Sequence, residues 1–217
     1  MIKAVIFDLD GTLVNSLYDL ADAVNFALEK NGFPTHETEK YKYFVGNGIP
    51  KLIERAVPED SRNAETLIKV KADFFEYYTV HYADKTAAYD GMKETIDKMR
   101  ASGLKLAVVT NKADNMAKAV AKAVYGDIFD VVIGLSDEFP SKPHPASTLD
   151  TVKKLSVSTD ECIFVGDSSV DMQTGVNSKI TPVGVTWGFR SREELKDNGA
   201  CYIIDKPCEL LNIIEEL

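Results

Sequence analysis

Residues 1–14 read MIKAVIFDLDGTLV, a short apolar run that ends in two acids and a glycine. The apolar, β-branched run from Ile2 to Phe7 is typical of a strand buried on both faces of a parallel sheet. Asp8 and Asp10 follow it directly, and at ~4 Å and an effective dielectric of about 20 two carboxylates repel by roughly 4 kcal/mol. Mg²⁺ relieves such repulsion and prefers oxygen ligands. Since Asp and Gly are also ordinary turn residues, the stretch alone leaves a site and a plain turn equally open.

The composition excludes several classes of protein. A length of 217 residues fits one domain or one domain with an insertion, and a net charge of −9 argues against broad contact with nucleic acid or an anionic membrane. No run reaches the ~18 apolar residues of a membrane span, and the N-terminus shows no signal region. We expect a cytoplasmic protein that uses neither nucleic acid nor membrane as a partner. Both a monomer and a homodimer are compatible with the sequence.

The cysteines and histidines carry no evident site of their own. Cysteines are odd in number and widely spaced, which favours buried free thiols over a zinc site or a disulfide framework. Histidines are scattered, and we expect surface or capping roles for them. The residues are Cys162, Cys201 and Cys208, and His36, His81 and His144.

The chain divides into two parts with different predicted secondary structure. Between residues 15 and 82 the apolar residues recur at three- and four-residue steps and no strand is indicated, so an all-helical block follows the first strand. From Tyr89 onward strand and helix signals alternate, which predicts a parallel sheet with helices on both faces. The predicted helices are 17–28, 37–44, 49–57, 63–81, 92–101, 114–124, 146–155, 170–177 and 210–216. The predicted strands are 2–7, 104–110, 131–134, 162–166, 181–186 and 202–204.

Polar residues follow several of the clearly predicted strands. In sheets of this type, ligands bind at the carboxyl ends of the strands. The polar residues are Thr110-Asn111-Lys112 after the second strand, Lys142 before a helix, and Asp167 and Asp171 after the fourth strand. Each alone has an ordinary explanation, such as a helix cap, a surface lysine or a turn acid. Because all of them occur in order at strand ends, we interpret them together with Asp8 and Asp10 as one site.

The chemistry of this set fits phosphoryl transfer. Asp8 can attack phosphorus and carry a covalent aspartyl-phosphate, while Asp10 can protonate the leaving oxygen and later deprotonate water. Mg²⁺ can bind Asp8, Asp167 and the backbone carbonyl of Asp10.

The remaining polar residues receive supporting roles. Thr110 can donate to phosphate oxygens, and Lys142 can offset the developing negative charge. Asp171 would orient Lys142 or a metal-bound water. We predict Thr12 and Asn111 as further substrate-binding residues.

These residues resemble the four motifs of the haloacid dehalogenase-like superfamily phosphatases: Asp8-x-Asp10-Gly-Thr, Thr110, Lys142-Pro143 and Gly166-Asp167-x₃-Asp171. The resemblance spans essentially the whole chain. It implies an α/β fold, with a Rossmann-like catalytic core at 1–14 and 83–217 and an inserted α-helical cap at 15–82. It also implies a metal-dependent phosphoryl enzyme, because the dehalogenase branch lacks an acid at the position of Asp10.

Three segments are similar to phosphoglycolate phosphatases in particular: 44–56, 110–112 and 184–195. In the first, Gly46, Asn47 and Gly48 precede a helix whose N-terminal N–H groups suit a small anion such as a carboxylate, and Lys51 adds charge. The alternative is a turn that only packs the helical block.

We therefore predict Mg²⁺-dependent hydrolysis of a small phosphorylated metabolite, with 2-phosphoglycolate as the first candidate substrate. The alternatives are a sugar phosphomutase, a phosphatase for another small sugar or nucleotide phosphate, and a non-catalytic protein that binds metal and phosphate.

Overall fold

The structure, a computed structural model, describes all 217 residues, which divide into two compact units. Unit 1 comprises Met1–Asn15 and Ala88–Leu217, and unit 2 comprises Ser16–Ala87. The insertion predicted from the sequence, residues 15–82, overlaps unit 2, which continues to Ala87. Residues 85 and 86 belong to unit 2 because their backbone is hydrogen-bonded to its first helix, as described below.

Unit 1 is built on a six-stranded parallel sheet in the order β5-β4-β1-β6-β7-β8, as the sequence predicted for an α/β fold. The eight strands of the chain are β1 (Ala4–Phe7), β2 (Val14–Asn15), β3 (Ala87–Ala88), β4 (Lys105–Ala113), β5 (Val131–Leu135), β6 (Cys162–Gly166), β7 (Thr181–Val185) and β8 (Tyr202–Ile204). Strands β2 and β3 form a separate two-stranded sheet. All four residues of β1 are buried, and its neighbours are β4 and β6. The acids that follow β1 therefore lie near the middle of the carboxyl edge of the sheet.

Nine α-helices accompany these strands: α1 (Leu17–Lys30), α2 (Ile49–Ala56), α3 (Ala64–His81), α4 (Met92–Ala101), α5 (Asp114–Tyr125), α6 (Ala146–Leu155), α7 (Ser169–Ser178), α8 (Arg192–Asp197) and α9 (Glu209–Glu216). The sequence predicted all of them except the short α8, and the predicted helix at 37–44 is a 3₁₀ helix, Thr38–Tyr43. Strand β4 continues past Thr110, with irregular pairing to β5 between Val109 and Ala113. None of the helices is both long and apolar enough to cross a bilayer.

The predictions for the cysteines and histidines agree with the structure only in part. All three cysteines are unpaired, and Cys162 is buried in β6. Cys201 and Cys208 are exposed, so the prediction of buried thiols is wrong for them, because Cys201 precedes β8 and does not lie within the strand. His144 Nδ1 accepts a hydrogen bond from the N–H of Ala146 at the start of α6, which is a capping role.

A buried carboxylate joins the two ends of unit 2. Asp19, on the first turn of α1, is 2% exposed, and its oxygens accept hydrogen bonds from the backbone N–H groups of Lys85 at 3.0 Å and Thr86 at 2.8 Å. The hydroxyl of Thr86 adds a third donor at 2.7 Å. Because a carboxylate only accepts, its two oxygens match three donors that would otherwise be buried without partners.

Asp19→Asn is expected to lower the free energy of unfolding by about 1–3 kcal/mol, because the new NH₂ group faces donors and leaves some of them unsatisfied. Urea unfolding followed by circular dichroism measures the change. Asp22→Asn is the matched control, since Asp22 pairs with the side chain of Lys85 on the exposed face of the same helix. That change is expected to cost less than about 1 kcal/mol. Equal losses for the two variants would contradict the role given to Asp19.

Candidate active site

Asp8 and Asp10 follow β1 and lie in different surroundings. The N–H of Asp8 donates to Val165 O at 2.9 Å, which fixes its backbone against β6, and the residue is 7% exposed. The two carboxylate oxygens of Asp10 instead lie 3.1 Å from Nζ of Lys112. Asp8 is thus buried at the carboxyl edge of the sheet, whereas the carboxylate of Asp10 is paired with a lysine from β4.

Lys142 lies between two buried acids. Its Nζ donates to Oδ1 of Asp8 and to Oδ1 of Asp171, both at 2.7 Å, and its side chain is 3% exposed. Asp171 Oδ2 also accepts from the N–H and the hydroxyl of Ser168, at the start of α7, so its carboxylate is held from two sides. Asp171 therefore orients Lys142 toward Asp8.

Three carboxylates converge beside this lysine. Oxygens of Asp8, Asp167 and Asp171 all lie within 4.8 Å of one another, and all three residues are buried. Burial raises the pKa of Asp8 to about 6, although the charge of Lys142 opposes the shift. Burial and the charges of Asp171 and Asp8 hold the pKa of Asp167 well above its usual range. Burial by itself lowers the pKa of Lys142, but the charges of Asp171 and Asp8 raise it above its usual value, so the lysine stays charged.

The acid cluster fits a hard divalent cation. Its donors are all carboxylate oxygens, which Mg²⁺ prefers, and one lysine, Lys142, faces three buried acids. The sequence predicted Asp8, Asp10 and Asp167 as metal ligands. The structure brings Asp171 into the cluster through its side chain, whereas the Asp10 carboxylate lies at Lys112. The backbone carbonyl of Asp10 stays a predicted ligand.

Asp167 is packed against two glycines. A Cβ on Gly11, whose φ is +92°, would lie 2.7 Å from Cγ of Asp167, and a Cβ on Gly188 would lie 2.5 Å from its Oδ2. The hydroxyl of Thr12 donates to Asp167 Oδ1 at 3.1 Å, and the N–H of Phe189 donates to Oδ2 at 2.8 Å. Thr12 is fully buried and its side chain orients Asp167, and a contact of Thr12 with substrate stays a prediction.

The side chain of Asn111 contacts the backbone of Lys142, and its predicted contact with substrate stays a prediction. Its Oδ1 accepts from the N–H of Lys142 at 2.8 Å, and its Nδ2 donates to the carbonyl of Lys142 at 3.2 Å. The side chain therefore holds the backbone that carries the lysine, next to the cis peptide between Lys142 and Pro143. Thr110 lies one residue earlier on β4, is 5% exposed, and accepts from the N–H of Lys112 at 3.3 Å. A contact of Thr110 with phosphate stays a prediction.

The predicted anion-binding turn lies in unit 2. Gly46 and Gly48 have φ values of +116° and +80°, and α2 begins directly after them. Asn47 Oδ1 accepts from Nη2 of Arg55 at 2.7 Å, while Nη1 of Arg55 donates to Phe44 O at 2.8 Å. The Asn47 side chain thus stabilises the turn itself. Lys51 pairs with Glu54 at 2.7 Å on the exposed face of the helix.

Sequence reasoning missed the partners that position the predicted residues. Lys112 was noted within Thr110-Asn111-Lys112 but received no role, and Arg55 received none either. For Arg55 the sequence offers only a weak signal, an arginine in the helix that directly follows the turn. For Lys112 the sequence offers no signal, because its direction depends on the irregular pairing of β4 beyond Val109.

Comparison with known proteins decides the family. Residues 5–185 match the sequence profile described as haloacid dehalogenase-like hydrolase. The chain belongs to this family. It is 33% identical to the phosphoglycolate phosphatase of Colwellia psychrerythraea, over 96% of this chain and 95% of that protein. It is also 33% identical to the phosphoglycolate phosphatase of Haemophilus influenzae, over 98% of each chain.

Structural similarity extends over the same length. The crystal structure of a predicted phosphoglycolate phosphatase from Haemophilus somnus superposes with a TM-score of 0.91 and 30% identity, covering 98% of this chain and 97% of that one. The resemblance inferred from the four motifs is confirmed, as are the Rossmann-like α/β fold and the enzyme class, a phosphatase of this family.

Proposed function

We propose that this haloacid dehalogenase-like hydrolase is a Mg²⁺-dependent phosphomonoesterase that acts through an aspartyl-phosphate on a small phosphorylated metabolite, with 2-phosphoglycolate as the first candidate. The observation that carries the proposal is the pairing of Asp8 with Lys142 at 2.7 Å beside Asp167, all buried at the carboxyl edge of the sheet. A nucleophilic carboxylate, a fixed cation and a metal-binding acid in contact are the parts that phosphoryl transfer needs.

In the first step an oxygen of Asp8 bonds to phosphorus as the bond from phosphorus to the leaving oxygen breaks. Asp10 gives its proton to that leaving oxygen, which departs as an alcohol. Lys142 keeps the Asp8 carboxylate in one orientation and offsets negative charge on the phosphoryl group, and Asp171 fixes Lys142 in turn.

In the second step water attacks phosphorus, the bond from phosphorus to Asp8 breaks, and Asp10 takes the proton of the water. Inorganic phosphate leaves and Asp8 is regenerated as a carboxylate. Mg²⁺ held by Asp8, Asp167 and the carbonyl of Asp10 would supply positive charge to the phosphate oxygens. Thr12 and the N–H of Phe189 would hold Asp167 in place for that ion.

Substrate choice is supported by two observations. The relatives matched over nearly their whole length are named phosphoglycolate phosphatases. In unit 2 the turn Gly46–Gly48 precedes α2 and is stabilised by Arg55, so its backbone is ordered before any anion arrives. We propose residues 15–82 as the cap and this turn as its carboxylate-binding element.

Release of inorganic phosphate from 2-phosphoglycolate tests the proposal. Activity is expected to fall to background after exhaustive treatment with EDTA and to return when Mg²⁺ is added, because the acid cluster holds more negative charge than Lys142 offsets. Ca²⁺ at the same concentration is the control for simple charge neutralisation and is expected to restore little activity. Activity that survives EDTA would contradict the metal assignment.

A hexose 1-phosphate separates hydrolysis from mutase activity. A phosphatase releases free phosphate, whereas a phosphomutase returns the 6-phosphate. We expect free phosphate, and accumulation of the 6-phosphate would replace the proposed function by the alternative one.

Asn47→Ala is expected to raise KM for 2-phosphoglycolate by about 10-fold, roughly the effect of one hydrogen bond to a charged group, because it releases Arg55 and loosens the turn. KM for p-nitrophenyl phosphate, which has no carboxylate, is expected to change less than about 2-fold, and Lys51→Ala should follow the same trend. Lys42→Ala, an exposed lysine paired with Glu39 in the same unit, is the control. Equal effects on both substrates would make the turn structural.

A further inference from the structure

We propose that Lys112 positions the Asp10 carboxylate for proton transfer to the leaving group, a role that no motif of the sequence assigned to it. The inference rests on the proposed function, in which Asp10 is the acid and base. Its basis is geometric: Nζ of Lys112 lies 3.1 Å from each of the two oxygens of Asp10.

The contact is unlike the surface ion pairs of this chain. The Lys112 side chain is 2% exposed and that of Asp10 is 12% exposed, whereas the neighbouring pair of Lys118 and Asp114 is 57% and 32% exposed. Exposed pairs contribute little to stability, while a buried lysine needs a partner with good geometry. Because the Lys112–Asp10 pair is buried, the position of each side chain depends on the other. The pair also involves Asp10, the proposed acid and base.

Strand β4 fixes the direction of the lysine. Its pairing with β5 is irregular between Val109 and Ala113, and the N–H of Lys112 donates to the hydroxyl of Thr110 at 3.3 Å. Asp10, in contrast, lies in the loop after β1, in an isolated bridge to Val14, and is partly exposed. Contact with both oxygens restricts rotation of the carboxylate, so Lys112 is a positioning residue that acts through Asp10.

The leaving group reveals which role Lys112 has. When the ester bond of benzyl phosphate breaks, the leaving alkoxide needs the proton of Asp10, whereas p-nitrophenolate leaves as a stable anion without it. Before cleavage, the part of each ester that leaves is an uncharged aromatic group, and the two groups are similar in size. A residue that acts on the proton transfer changes kcat/KM for the first ester only, but a residue that binds the phosphoryl group or supports the fold changes both.

The experiment compares kcat/KM of the wild type and Lys112→Met in the full chain with Mg²⁺ present. We expect a loss of about 10–100-fold with benzyl phosphate, part of what general acid catalysis contributes, and less than about 3-fold with p-nitrophenyl phosphate. Lys118→Met removes a lysine from an exposed pair on α5 and is expected to change neither. In an Asp10→Asn background, Lys112→Met should cause no further loss with benzyl phosphate, because the two residues act as a unit.

Several outcomes would overturn the inference. Equal losses with both esters would make Lys112 a phosphate-binding or structural residue, and additive losses in the double variant would show that it acts independently of Asp10. If Lys112→Met does not fold, Lys112→Gln keeps an NH₂ donor group without the charge and must show the same selectivity with a smaller loss. A wild type that releases phosphate from neither ester nor from 2-phosphoglycolate would overturn the proposed function together with the inference, whereas an active wild type with unselective variants would overturn the inference alone.

Discussion

Asp8→Asn is expected to abolish phosphate release, with a loss of at least about 10³-fold in kcat, as for the removal of other catalytic nucleophiles. The amide keeps the shape of the side chain and can still accept a hydrogen bond from Lys142, but its oxygen does not form a stable bond to phosphorus. Lys142 stays paired with Asp171 at 2.7 Å. The variant is therefore expected to fold, with a melting temperature no lower than that of the wild type without metal.

Two measurements check this result. Acid quenching during turnover should trap a phosphoprotein in the wild type and none in Asp8→Asn, and circular dichroism should show the same secondary structure for both. Asp22→Asn, an acid on the exposed face of α1, is the matched control and should keep full activity. Residual turnover above about 1% of the wild type would exclude the covalent mechanism.

Lys142→Met is expected to remove activity and also to destabilise the protein by about 3–5 kcal/mol, which is typical of breaking a buried ion pair from one side. The methionine fills much of the same space but leaves Asp8, Asp167 and Asp171 buried together without the lysine that pairs with two of them. Urea unfolding in EDTA measures the stability, and phosphate release in Mg²⁺ measures the activity. Lys98→Met, which removes an exposed lysine from α4, is expected to change neither.

A second substitution separates the two effects of Lys142. Lys142→Met with Asp171→Asn removes one of the acids that the lysine neutralised, so part of the lost stability should return, while activity should not. Recovery of activity in the double variant would show that Lys142 only balances the charge of Asp171. The result would then contradict a direct role of the lysine at the phosphoryl group.

The acids of the site could be predicted from sequence because each follows a strand whose pattern is clear. Asp8 follows the fully apolar β1, and Asp167 follows β6, which is buried along its whole length. In a parallel sheet the position of a strand end is enough to place such residues together. Lys142 could be placed with them because the four motifs occur in order.

The roles of the polar neighbours could not be predicted in the same way. Thr12 and Asn111 are buried donors and acceptors whose partners, Asp167 and the Lys142 backbone, are more than 30 residues distant in the chain. A polar side chain near a site satisfies whichever group the fold brings next to it, and composition does not reveal which one. The contact of Lys112 with Asp10 is of the same kind, since the pairing irregularity of β4 sets its direction.

The hydrogen bonds of the Asp19 carboxylate affect how easily the inserted segment can be replaced or changed in length. By tying the first turn of α1 to residues 85 and 86, it brings the entry and the exit of the inserted segment to neighbouring points. A segment closed in this way can be lengthened, shortened or exchanged between its ends while the chain still leaves and re-enters at the same place. We expect chimaeras joined at residues 16 and 87 to fold more readily than chimaeras joined at 15 and 82, which would separate Asp19 from its partners.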